Sequence, residues 1–111
     1  MIPFPGAQYH TTDAEGETLV APTTRQMRRV LESLEDADEA DFADVSLVHA
    51  SGWCLTVNPQ WLVVLERTDD SAPMRVRRVK SLEDALALWE ELAAGEIEAL
   101  QKRGWKEPGE A

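Results

Sequence analysis

The chain has 111 residues, 43% apolar and 29% charged, proportions that suit one folded domain and exclude a disordered or fibrous chain. Acids outnumber bases 21 to 11, and the net charge of −10 repels phosphate backbones, which argues against nucleic acid as a ligand. The single cysteine, Cys54, excludes an internal disulfide, and no apolar run reaches the ~18 residues of a membrane span. The start, Met1-Ile2-Pro3-Phe4-Pro5-Gly6, lacks the basic and long apolar regions of a signal peptide, so cytoplasm is the expected compartment and no membrane partner is expected.

Residues 1–22 carry three prolines and two glycines and read as a loosely structured segment with at most two short strands. Tyr9 to Thr12 and Thr18 to Ala21 favour β structure and flank the turn-forming Asp13-Ala14-Glu15-Gly16-Glu17, a marginal hairpin. Thr23 and Gln26 stand at capping-box spacing, and Met27, Val30, Leu31 and Leu34 recur every three or four residues. This predicts an amphipathic helix from Thr24 to Asp36. The acids that follow oppose the dipole at the helix's carboxyl end, and the stretch from Glu35 to Asp44 is expected to be a loop.

From Val45 the period changes to two. Val45 to Ala50, Trp53 to Val57, Trp61 to Arg67 and Met74 to Lys80 are four β-rich runs with connections too short for parallel crossovers, so an antiparallel meander is predicted. Trp61 to Leu65 is apolar on both faces, as in a central strand covered on both sides or packed against a partner, whereas the arginines of Met74 to Lys80 suit a solvent-facing strand near an edge. Ser81 opens the longest helix, with Asp84 in a capping-box-like position and a stripe of Leu82, Ala85, Leu86, Trp89, Leu92 and Ala93; Glu83, Asp84, Glu90 and Glu91 point outward. Gly95 predicts a stop or kink before a short helical stretch from Glu96 to Arg103, Gly104 a cap, Trp105 a return onto the core, and residues 106–111 a frayed tail. The expected fold is a single α+β domain, a four-stranded antiparallel meander packed by an N-terminal helix and a longer C-terminal helix in the order (ββ)αββββα.

No catalytic, cofactor-binding or metal-binding set emerges. His49 and Cys54 lie five positions apart, but no third group orients the imidazole, and a cysteine between Trp53 and Leu55 is expected to be a small core residue. His10 and His49 with scattered acids lack zinc-site spacing. The acid pairs Asp69-Asp70, Glu83-Asp84 and Glu90-Glu91 read as solvated surface, and Asp38, Glu39 and Asp41 lack the glycine and closing glutamate of a calcium loop.

Two features stand out. Glu32 to Asp44 holds seven acids and no base, which is either a solvated loop or an interaction surface. Four tryptophans are many for so short a chain, and Trp53 or Trp105 is the candidate for a partly exposed interface anchor. Glu35, Asp36, Asp38, Glu39, Asp41, Asp44 and Trp53 are therefore the candidate partner-binding residues. Arg75, Arg77, Arg78 and Lys80 form an opposing basic patch, expected to guard a strand edge or to pair with the acidic helix.

The order of helix, meander and a helix opening on Ser81-Leu82-Glu83-Asp84-Ala85-Leu86, with Trp89, the Gly95-Glu96 break and Trp105, resembles small immunity proteins encoded beside bacterial polymorphic toxins of contact-dependent or type VI secretion systems. The Gly-Trp-Cys-Leu-Thr-Val segment from Gly52 to Val57 is similar to that family as well, and the resemblance spans Thr23 to Trp105 without the proline-rich start. It implies a cytoplasmic, non-enzymatic protein that binds a cognate toxin such as a nuclease or deaminase and fills a basic cleft with acidic surface; the sequence itself allows a monomer or homodimer. The alternatives are a small acidic secretion chaperone that dimerises around an effector segment, and a small enzyme using Cys54 or a histidine.

Overall fold

A computed structural model describes residues 9–35, 44–69 and 71–108. Its elements are β1 (Tyr9–Thr12), β2 (Thr18–Val20), α1 (Thr24–Glu32), β3 (Val45–His49), β4 (Trp53–Val57), β5 (Leu62–Arg67), β6 (Arg75–Arg78), α2 (Leu82–Ala93) and α3 (Ile97–Gln101). The fold is α+β, but the sheet has six antiparallel strands in the order β2-β1-β3-β4-β5-β6, where the sequence predicted four. The amino-terminal hairpin is not a loose appendage: β1 pairs along β3, Tyr9 opposite His49 through Thr12 opposite Ser46. That pairing satisfies the main-chain groups β3 would otherwise expose as an edge.

Local chemistry sets each boundary. The Asp13 carboxylate accepts main-chain N–H bonds from Glu15 and Glu17, and Gly16 takes φ +89°, which closes the β1–β2 turn. β2 stops at Val20, one residue short of the predicted end, because Ala21 adopts φ +46°. Thr23 and Gln26 form the capping box in both directions, at 3.2 and 2.9 Å. α1 ends at Glu32, four residues before the predicted Asp36; the hydroxyl of Ser33 bonds back to the carbonyl of Val30, and Leu34 tucks into the core from the following turn. β5 begins at Leu62 rather than Trp61, since Trp61 has φ +61° while Asn58 accepts N–H bonds from Gln60 and Leu62 in the turn before it. β3 and β6 are likewise shorter than predicted; Val79, beyond β6, donates to the carbonyl of Trp61.

The helices lie over the face formed by Leu47, Leu55, Val57, Val63 and Leu65, all fully or almost fully buried. Leu88 is buried with the predicted α2 stripe, and Ala93 only half-buried. Ser81 caps α2 by accepting from the Asp84 N–H at 3.3 Å, while the Asp84 carboxylate reaches the N–H of Lys80 rather than that of Ser81. Gly95 turns the chain at φ +78° into α3, and Gly104 at φ +81° ends the following stretch. Trp105 then folds back, its indole N–H donating to the Leu100 carbonyl at 2.7 Å.

Three further expectations need correction. β5 lies inside the sheet, but among the described residues no helix covers its outer face, where Leu62 and Val64 remain half-buried. Glu91 does not point freely outward: it makes a two-pronged ion pair with Arg103 at 2.8 and 2.9 Å, tying the end of α3 to α2. The tail does not begin to fray at Lys106, whose main chain exchanges two 2.8 Å hydrogen bonds with Val76 on the outer edge of β6. Among the described residues, no helix is long and apolar enough to cross a membrane.

Candidate partner-binding surfaces

Asp36, Asp38, Glu39 and Asp41 lie outside the described residues. The described ends of the acidic block, Glu32, Glu35 and Asp44, are all exposed. Glu32 and Glu35 border a surface groove of about 350 Å³ with Arg28, Trp61, Lys80 and Glu83. Arg28 on α1 meets Glu83 on α2 at 2.6 Å; the pair raises the arginine's affinity for its proton and lowers that of the glutamate. Both side chains are solvent-exposed, so the pair registers the two helices but adds little stability.

Trp53 and Trp105, the two tryptophans the sequence marks as anchor candidates, line the same cleft of about 590 Å³. Its other walls are Leu65, Ala72, Pro73, Arg75, Gln101 and Gly104. The strand registers account for this grouping. Trp53 sits opposite Arg67, and Leu55 opposite Leu65, which in turn faces Arg75, so these residues share the helix-side face of the sheet near its end. Trp53 and Trp105 are half-buried there and Arg75 is exposed.

Arg67 lies over the Trp53 ring, 5.2 Å from its centroid, and pairs with Asp69 at 3.2 Å. That guanidinium, with hydrogen bonds from Ser71, holds the Asp69 carboxyl well below the usual carboxylate range. Gly52 makes the arrangement feasible: a Cβ there would fall 2.6 Å from an Arg67 guanidinium nitrogen, and its φ is +95°. Arg77 donates to the main-chain carbonyl of Arg103, which fixes the segment carrying Gly104 and Trp105. The predicted pairing of the basic patch with the acidic helix is not seen: among the described residues Arg75, Arg77, Arg78 and Lys80 make no ion pair.

His49 and Cys54 are not brought together. Val48 pairs with Cys54, so the thiol belongs to the outer face, while His49, one position on, faces the helices. Burial raises the Cys54 pKa and keeps the group a thiol. The His49 ring is buried; its Nδ1 accepts the Ser51 N–H at 3.0 Å and lies 2.9 Å from the Ser51 hydroxyl, and its Nε2 has no hydrogen-bond partner among the described residues. Burial lowers its pKa. Among the described residues, no group of three His, Cys, Asp or Glu side chains is placed to hold a metal ion.

The sequence marks Trp53 or Trp105 as one exposed anchor, whereas the cleft is lined by both, with Arg67 and Arg75 as companions that the sequence reading missed. The available signal was the short turn at Asn58-Pro59, which sets Val57 opposite Val63 and so carries Trp53 opposite Arg67. No protein-family model, curated protein or solved structure matches the chain.

Proposed function

We propose that the chain is a non-enzymatic immunity protein that neutralises a cognate bacterial toxin by placing acidic surface in a basic active-site or substrate cleft. One observation carries the proposal: the base-free run of seven acids from Glu32 to Asp44, on a chain of net charge −10, has exposed side chains at each end that the structure describes. A field of that sign speeds encounter with a positive cleft, and close acid–base pairs across an interface select the partner. A toxin acting on nucleic acid, such as a nuclease or a deaminase, has a cleft of suitable sign. The separation of His49 and Cys54 onto opposite faces supports a role in binding over nucleophilic catalysis by that pair.

Co-expression provides the test. The domain encoded at the end of the neighbouring reading frame, expressed alone, is expected to arrest bacterial growth, and the intact chain to restore it. A variant with Asp36, Asp38, Glu39 and Asp41 changed to asparagine or glutamine is expected to fold but fail to restore growth. Rescue by that variant equal to wild type would refute the acidic-plug reading.

A dimeric secretion chaperone is the second reading, favoured by the outer face of the sheet, where half-buried Val48, Leu62 and Val64 have no described helix above them. Light scattering separates the two, because a stable dimer with no toxin partner supports the chaperone.

A further inference from the structure

The Trp53–Trp105 cleft combines four properties. Leu65, 2% exposed, gives it an apolar floor, and the half-buried indoles give it aromatic walls. Arg75 is an exposed cation at its margin with no ion pair among the described residues. The indole N–H of Trp105 is already used by Leu100, so that ring offers its apolar surface rather than a donor. Finally, the outer edge of β6 at Val76 is already paired to Lys106, so a partner strand cannot add to the sheet there. At that position an occupant contacts the cleft through side chain and charge.

We propose that this cleft receives the carboxyl-terminal residue of a partner polypeptide, its apolar or aromatic side chain between Trp53 and Trp105 and its terminal carboxylate on Arg75. A chain end delivers the apolar group and the carboxylate together without pairing to β6 at Val76. The choice of ligand rests on charge complementarity. The complementarity is local: the segment after Glu66 carries ten acids against eight bases, yet the cleft is lined by one cation, Arg75, and by no carboxylate. Arg67 over Trp53 adds to the positive field, its own charge shared with Asp69. Arginine suits this role because its planar fork matches a carboxylate. The site is independent of the acidic surface and of the toxin-binding reading.

The test uses the full-length chain and two probes, N-acetyl-glycyl-phenylalanine and its carboxyl-terminal amide, followed by indole N–H chemical shifts in an NMR titration. The acid is expected to bind saturably in the millimolar range, with shifts concentrated at Trp53 and Trp105 and small at buried Trp89. Loss of one charge-assisted bond weakens binding by about tenfold, so the amide, and Arg75→Gln titrated with the acid, are expected to bind about tenfold more weakly. Arg78→Gln, a substitution on the other face of the same strand, is expected to bind as wild type does. Absence of saturable shifts at Trp53 and Trp105 overturns the site, and equal binding of acid and amide overturns the carboxylate assignment.

Discussion

The indole N–H of Trp89 donates to the main-chain carbonyl of Leu55 at 3.3 Å, joining the middle of α2 to the interior strand β4 at a position where both residues are fully buried. A carbonyl within a sheet normally spends its bonding on a neighbouring strand, so this contact fixes the helix along and across the sheet as well as burying the largest core side chain.

Trp89 separates the apolar from the polar part of that join. Trp89→Phe keeps most of the buried area but loses the donor, and is expected to cost about 1–2 kcal/mol. Trp89→Ala leaves a cavity and is expected to cost about 3–5 kcal/mol. Urea denaturation of both variants checks the order; equal losses would mean that the hydrogen bond and the ring volume are not separable contributions.

Burial of His49 is expected to make stability fall as pH drops below neutrality. Ser51 donates its main-chain N–H to Nδ1, so the neutral ring carries its proton on Nε2, beside the Gly95 turn and without a partner among the described residues. Burial lowers the folded-state pKa, so below about 6.5 the unfolded chain binds a proton that the folded chain resists. The stability contributed by the neutral ring is complete above that value and is lost as pH falls toward the lowered folded pKa. Thermal melts from pH 7.5 to 5.5 are expected to show falling stability in the wild type and a flatter profile in His49→Gln. Matching slopes in the two proteins would show that His49 is not responsible. The paired carboxylates Glu83, Glu91 and Asp69 have lowered pKa values and lose their contribution only at more acidic pH, outside that window.

Gly52 is required twice over, by its φ of +95° and by the space Arg67 occupies above it. Gly52→Ala is expected to cost about 1–3 kcal/mol and to displace the guanidinium from the Trp53 ring. Chemical denaturation measures the first effect and the Trp53 indole resonance the second. A variant with unchanged stability and an unmoved resonance would contradict the close packing of this corner.

The limits of the sequence follow from the range of the interactions. Thr23 with Gln26, Ser81 with Asp84, and the stops at Gly95 and Gly104 are local events within a few residues, and alternation in Trp53 to Val57 announces which face is buried. The partner of β1 was not legible, because four residues with two threonines show no preference for β3, more than thirty positions further along the chain; only the fold reveals that Thr11 lies opposite Leu47 and is 1% exposed. Nor was the cleft, since Arg75 reaches Trp53 through two strand registers and Trp105 through a turn after α3. The candidate acids were legible as a charge run, which is a property of composition, while their arrangement depends on contacts that composition does not encode.

The central claim is that charge on the acidic block drives capture of a positive partner cleft, and its most direct measure is the association rate of this chain with the toxin domain proposed as its partner across ionic strength. Between about 50 mM and 500 mM salt the rate is expected to fall at least about tenfold, and the Asp36, Asp38, Glu39 and Asp41 neutralised variant to show a slower rate with a shallower slope. A rate that stays constant with salt, or that the neutralised variant shares, would contradict the account.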